Sequence, residues 1–431
     1  MRRKIELKLH AWKENMDNRK PLLLYGARQV GKTYTLMKFG EECYENVVYV
    51  NLETNLTLAS IFAKDIEPKR ILNLLEAMTG EKIKPGKTLV FFDEIQACER
   101  ALTSLKYFCE QASEYHIVAA GSLLGVALQR ENFSFPVGKV QSLNMYPFDF
   151  EEFLWALGKC ALANAIHVAY EAQESLPEAL HQEALELYHY YLAVGGMPEA
   201  VAEYKKRGRL VLVPDVQHEI LRNYLGDMAK YTSDTETIKI QACYNSIPVQ
   251  LAKENKKFQY KVVQRGGSAN LFGASLDWLE QAGIILKCKK TEHGYDPIAV
   301  YEDLASFKVY MSDVGLLVAK SGISLQTILL HEGNTFMGAI TENYVAQQLI
   351  SKGYNLFYWA PQNSQAELDF VFESQGEIVA AECKRGVHHK SRSLGIFCKQ
   401  YAPKRAVRFS EENFYWTENV SAIPLYAAFC I

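Results

Sequence analysis

The chain has 431 residues, of which 48% are hydrophobic and 23% charged, and a formal net charge of −3. That length exceeds what one hydrophobic core usually serves, so two or three domains are expected, and the composition excludes an intrinsically disordered chain. The slightly negative balance excludes a uniformly basic nucleic-acid coat but leaves room for a local basic patch.

The opening stretch "MRRKIELKLHAWKENMDNRK" carries positive charge but develops no apolar run, so no secretory signal is expected. No segment approaches the roughly 20 uncharged apolar residues that a membrane span needs. Nine cysteines are scattered without a CxxC pair, which argues against a zinc site and against a disulfide framework. The expectation is a cytoplasmic chain with no membrane partner.

The first third holds four short apolar runs, "PLLLY" (21–25), "VVYVNL" (47–52), "TLVFFDE" (88–94) and "HIVAAGS" (116–122). Helical-period segments separate them, one of them around Ile71, Leu72, Leu74, Leu75 and Met78. Strands alternating with helices predict an α/β fold with a parallel sheet covered on both faces.

After the first run comes "GARQVGKTY", whose residues Gly26, Ala27, Arg28, Gln29, Val30, Gly31, Lys32, Thr33 and Tyr34 contain the spacing G-x-x-x-x-G-K-[ST]. A loop without side-chain bulk can turn its backbone N–H groups onto phosphate oxygens, and the positive end of the following helix adds to the field. Lys32 is then placed for the β and γ phosphates of ATP, and Thr33 offers a hydroxyl to Mg²⁺. The third run ends in two carboxylates, costly at the end of a buried strand unless they meet a cation or water. Asp93 is the natural partner of the nucleotide's Mg²⁺, and Glu94 can polarise an attacking water. The fourth run ends in Gly121-Ser122, where a hydroxyl can contact the γ phosphate or that water.

From 148 to 205 the pattern is helical, punctuated by two glycines and a proline at 195–198. Between 210 and 320 several short helices lead to a helix ending at Gly283 and a hairpin near Gly294, consistent with a winged-helix module or with a helical linker domain. From 325 to 431 the pattern returns to α plus β, with a helix near 335–351 and strands "NLFYWA", "AELDFVFE" and "EIVAAECK".

The segments "GARQVGKT", "FFDEI" and "AAGSLLGVAL", followed by "MYPFDFEEFL", "VGGMPEAV", "FKVYMSDVGLL", "GAITENYVAQQL" and "AELDFVF", resemble a family of bacterial and archaeal AAA ATPases with a C-terminal domain of unknown function. The resemblance runs over essentially the whole chain. It implies an additional-strand P-loop core with Asp93 on magnesium, Glu94 as catalytic base and Ser122 as polar sensor. Family members commonly carry Gly-Arg after the sensor segment, where Gly138-Lys139 stands here, which leaves the arginine finger open, with Arg130 as candidate.

In the last third, Asp369 lies on an apolar strand, and Glu382 and Lys384 follow with one residue between them, so both point to one face. An Asp and a Glu can share a divalent ion while a lysine positions the hydrolytic water, and Glu342 on the preceding helix offers another carboxylate. This arrangement is similar to the active site of the PD-(D/E)XK nuclease superfamily. A run from Lys384 to Ser410 contains no acid but carries Arg385, Lys390, Arg392, Lys399, Lys404, Arg405 and Arg408, suited to phosphates of DNA or RNA or to a solvated basic face. His388 and His389 within it read as surface residues. A smaller basic cluster, "KENKKFQYKVVQR", lies in the middle region.

The expected division is an ATPase core with helical lid (1–205), a winged-helix-like middle (206–322) and a nuclease-like domain (323–431). Two function classes follow. In one, ATP drives a nucleic-acid-binding or nuclease-like module. In the other, ATP sets a regulatory switch whose C-terminal fold is a catalytically silent surface for a protein partner. Homo-oligomerisation is open in both.

Overall fold

The structure, a computed structural model, describes residues 1–15, 18–122, 124–127, 136–330, 334–362, 366–384 and 392–431. By packing it divides into two compact units. One comprises residues 2–146 with the short segment 281–283, and the other residues 147–280 and 284–431.

The first unit is built on five parallel strands: β1 (Leu22–Tyr25), β2 (Asn46–Asn51), β3 (Thr88–Asp93), β4 (His116–Ala120) and β5 (Gln141–Asn144). Their spatial order is β2-β3-β4-β1-β5, so β4 is inserted between the strand that leads into the glycine loop and the strand that ends in the acid pair. That is the additional-strand arrangement the resemblance implies. Every residue of β3 is buried, as a continuous apolar run predicts for a sheet covered on both faces. The helix Pro68–Thr79 shows how a covering element is specified. Proline occupies its first turn, and the Glu67 side chain accepts from the N–H groups of Lys69 and Arg70. Gly80 ends it in the left-handed region at φ 76°, while Ile71, Leu72 and Leu75 form the buried stripe.

His116, at the start of β4, is buried and lies 2.8 Å from the Tyr44 hydroxyl. Burial first, and then the charges of Arg19 and Lys13, push its pKa down to about 4. The neutral ring is the form that the fold favours. Its contribution is therefore complete above the ordinary value of about 6.5 and lost as pH falls through about 4. Urea midpoints at pH 7 and pH 4.5 are expected to drop less in a His116→Gln chain than in wild type. Equal drops would remove His116 as the cause.

The second unit is helical from 150 to 251, with the helices Phe150–Ala156, Cys160–Ala172, Glu178–Val194, Pro198–Arg207, Val213–Tyr231 and Asp234–Leu251. An eight-stranded mixed sheet follows: β6 (Ile285–Thr291), β7 (Glu302–Met311), β8 (Phe357–Trp359), β9 (Leu368–Ser374), β10 (Glu377–Cys383), β11 (Arg405–Ser410), β12 (Tyr415–Trp416) and β13 (Ser421–Pro424). Its order is β12-β13-β11-β10-β9-β8-β6-β7. The β6–β7 hairpin expected as a wing does not stand free. β6 pairs in parallel with β8, through Lys289 with Phe357 and Thr291 with Trp359.

The motifs of the second unit that carry the family resemblance meet in a buried polar clasp. Phe148 N–H donates to Gly196 O at 2.7 Å, and Gly196 N–H donates to Asp313 Oδ2 at 2.6 Å. Leu316 N–H reaches the other Asp313 oxygen at 2.9 Å. From the helix Met337–Ser351, Gln347 accepts from Val314 N–H at 2.9 Å, Gln348 accepts from Phe150 N–H at 2.9 Å, and Asn343 exchanges two bonds with Met311. Gly195 and Gly196 are glycine for want of space, since added Cβ atoms would lie 2.2 Å from Asp313 Oδ1 and 2.0 Å from Phe148 O. Burial raises the Asp313 pKa to about 6 despite its backbone donors. These hydrogen bonds knit the segments into one fold.

Candidate functional site

The glycine loop leaves buried β1 at Gly26, whose φ is 147°, and enters the helix Lys32–Cys43 through Gly31 at φ 94°. Gln29 between them is also left-handed at φ 66°. A Cβ at Gly26 would sit 2.2 Å from the Met145 carbonyl oxygen, so a side chain there is excluded by space as well as by conformation. The loop thus curls its backbone over the positive end of the helix that follows, the geometry that receives an anion. Lys32 is buried, with Nζ on the carbonyls of Gly26 at 2.9 Å and Ala27 at 2.8 Å. Arg28 and Tyr34 are exposed, whereas Ala27 and Val30 are buried. Arg3 braces the loop from below, donating to Val30 O at 2.9 Å and to Tyr146 O at 2.6 Å. No local sequence signal reveals that contact, because the partners lie 27 and 143 positions away.

Thr33 and Asp93 come together as expected: Thr33 Oγ1 donates to Asp93 Oδ2 at 2.8 Å. The same oxygen accepts from the Tyr49 hydroxyl at 3.0 Å, and Oδ1 accepts from Glu94 N–H at 3.0 Å. Asp93 is buried, and burial is the first cause of its raised pKa, with Glu94 adding to it against the Thr33 bond. A hydroxyl and a carboxylate converging beside the loop form a hard-oxygen donor set of the kind magnesium takes, so these residues fit the ion.

Glu94 stands at φ 50°, the left-handed region, immediately after β3. Its Oε2 accepts from Ser122 Oγ at 3.4 Å and from Gln96 Nε2 at 2.5 Å. The structure therefore brings Glu94 and Ser122 together, as the sequence suggested, and adds Gln96, which it did not. Arg130 lies outside the described residues. Lys139, next to Gly138, is paired with Glu110 at 2.9 Å.

In the second unit Glu382 and Lys384 do converge, with Nζ 2.6 Å from Oε1. Glu382 is buried and, among the described residues, its Oε2 has no hydrogen-bond partner. Asp369, one strand over, accepts from Cys383 N–H at 2.8 Å. Burial and then the nearby Glu342 charge raise its pKa. Glu342 faces a different set: an ion pair with Lys256, the Tyr310 hydroxyl at 3.3 Å and Lys308 at 3.8 Å. Lys308 is only 1% exposed and also pairs with Glu367 at 2.6 Å. Although burial pulls the Glu342 pKa up, the two ammonium groups hold it below the ordinary value.

Among the described residues no three His, Cys, Asp or Glu side chains are arranged to hold a metal ion. The expected metal set of Glu342, Asp369 and Glu382 is thus not assembled as one. Lysines hold Glu342 and Glu382 where a cation was expected. The basic stretch is likewise partly neutralised: Lys404 pairs with Glu377 at 2.5 Å, Arg408 with Glu412 at 2.9 Å, and Arg405 donates to the Tyr170 hydroxyl at 2.6 Å. Arg392 and Lys399 are exposed, while Arg385, His388, His389 and Lys390 lie outside the described residues.

The strand order and the glycine loop are those of an AAA-type, ATPase-like P-loop domain. Residues 18–154 match the family described as an AAA domain, and residues 185–327 and 337–428 match two families each described as a domain of unknown function. No curated protein matches the chain. Among solved structures it is similar to the Walker-type ATPase of Pyrococcus abyssi, at 16% identity and a TM-score of 0.45 over 74% of this chain and 95% of that one. It is also similar to the ORC2 protein of Aeropyrum pernix (13%, 0.34, 79% and 94%). The Thermotoga maritima RuvB Holliday junction branch migration motor is a third such structure (16%, 0.31, 66% and 87%). Among the described residues no helix is long and apolar enough to cross a membrane.

Proposed function

We propose that the chain is a magnesium-dependent ATPase whose nucleotide state controls what its C-terminal region binds. The observation that carries the first half is the bond from Thr33, next to the loop lysine, to Asp93, next to Glu94. Lys32 leaves the loop carbonyls for the β and γ phosphates, and the loop N–H groups hold the phosphate oxygens. Thr33 and Asp93 would hold Mg²⁺, which supplies charge neutralisation on the phosphates. Glu94 takes the proton of the attacking water, and Ser122 turns its hydroxyl from Glu94 to the γ phosphate. Purified protein is expected to release phosphate from ATP in Mg²⁺, and Lys32→Ala to lose both binding of a fluorescent ATP analogue and turnover. Undiminished turnover in that variant would refute the site.

As units of function rather than of packing, residues 1–205 serve as core and lid, 206–322 as a winged-helix-like middle and 323–431 as a nuclease-like domain, in a cytoplasmic chain that works singly or as a homo-oligomer. Two readings divide over the last part. A nuclease needs Asp369 and Glu382 to share a divalent ion with Lys384 beside them. Lys384 beside Glu382 suits either, but Lys256 and Lys308 on Glu342 favour the other reading, a catalytically silent module that grips nucleic acid or a protein. The deciding assay incubates supercoiled plasmid, single-stranded DNA and RNA with Mg²⁺ or Mn²⁺, with and without ATP. Intact substrates are expected. Metal-dependent cutting that disappears in a Glu382→Ala, Lys384→Ala chain would establish the nuclease instead.

A further inference from the structure

Gln96 follows the acid pair by two residues, in the short 3₁₀ turn Ile95–Ala97, and is 9% exposed. Its Nε2 gives Glu94 Oε2 the shorter of the two hydrogen bonds on that oxygen, 2.5 Å against 3.4 Å from Ser122. Both donors converge on Oε2, and Oε1 of Glu94 accepts from no described residue. The amide's own oxygen is buried without a hydrogen-bond partner among the described residues. A buried unsatisfied acceptor costs stability, so this orientation of the amide is held by its charge-assisted bond to the carboxylate. The neighbouring strand end is shaped to admit it: Gly121 has no side chain, and a Cβ there would lie 2.1 Å from Gln96 Oε1.

We propose that Gln96 is a positioning residue for ATP hydrolysis: by anchoring one oxygen of Glu94 it leaves the other turned out to receive the proton of the attacking water. A carboxylate free to rotate about its terminal bonds presents that oxygen only part of the time, whereas one fixed by a short bond presents it continuously. Ser122 cannot replace this anchor, because its hydroxyl is the group that must turn to the γ phosphate. The proposal rests on Glu94 being the base, and it adds the residue that aims it.

The test measures steady-state ATP turnover and binding of a fluorescent ADP analogue in Gln96→Ala, in the near-isosteric Gln96→Glu, which lacks the donor, and in Gly121→Ala, whose methyl displaces the amide. In each, kcat is expected to fall by about tenfold to a hundredfold, with KM and analogue affinity within about twofold of wild type. Added to Glu94→Gln, the Gln96→Ala change is expected to cost no further turnover, since nothing remains to aim. Turnover within about twofold of wild type in all three single variants would overturn the proposal. So would a loss of nucleotide affinity in step with kcat, the mark of a merely structural residue. Wild-type protein that binds the analogue but never turns over ATP would instead remove Glu94 as base, and the role of Gln96 with it.

Discussion

A Glu94→Gln chain is expected to bind ATP as wild type does and to hydrolyse it about a hundred to ten thousand times more slowly, the range of a lost general base. The substitution keeps the size of the side chain and an oxygen for Gln96 and Ser122 to donate to. It leaves Thr33, Asp93 and Lys32 untouched, so the phosphate loop and the magnesium ligands keep their geometry. What disappears is the group that accepts a proton. Phosphate release under saturating ATP measures the first quantity, and a fluorescent nucleotide titration the second. A fall in kcat of less than about tenfold would assign the water to another group. A parallel fall in affinity would mean that Glu94 holds nucleotide as well as activating water.

The second large effect lies far from the phosphate loop. Lys308→Met is expected to destabilise the chain by about 3–5 kcal/mol, because removing one member of a buried ion cluster leaves the remaining charges uncompensated. Lys308 is 1% exposed, 2.6 Å from Glu367 and 3.8 Å from Glu342, and those carboxylates, with Asp369 close by, hold its pKa well above the ordinary lysine value against the pull of burial. Adding Glu342→Gln and Glu367→Gln to Lys308→Met should restore part of the loss, since the two carboxylates stripped of the ammonium are then neutral, while Lys256 at 18% exposure loses its partner. Guanidinium denaturation of the three chains measures this. If Lys308→Met is as stable as wild type, the ammonium is not holding the carboxylates. The C-terminal site would then again be open to a divalent ion.

The first unit was legible in the sequence to the extent that its physics is local. Strands β1 to β4 announce themselves as apolar runs, and the glycine spacing of the loop states its own conformation. Strand β5 was missed because Gln141, Ser142 and Asn144 give an edge strand no apolar signature, and its residues alternate between half-buried and exposed. Gln96 was missed because an amide after an acid pair reads as the start of a turn. Only the packing of Gly121 against it shows the constraint. In the second unit the convergence of Glu382 and Lys384 follows from strand alternation and is present. The countercharges of Glu342 are not local: Lys256 lies 86 positions away, and sequence periodicity carries no trace of such a pairing. For the same reason the basic stretch looked more available than it is: Glu377 and Tyr170 come from other elements, 27 and 235 positions away, and only Glu412, four residues after Arg408, is near in sequence.

The pairing of β6 with β8 bears on how this chain can be inherited. The stretch of similarity that ends at residue 327 contributes β6 and β7, and the one that begins at residue 337 contributes the strands from β8 onward. Recombination between them would leave β6 and β8 each with a bare row of backbone donors and acceptors, the kind of edge that recruits foreign strands. Each stretch thus supplies the strand that covers a sheet edge of the other.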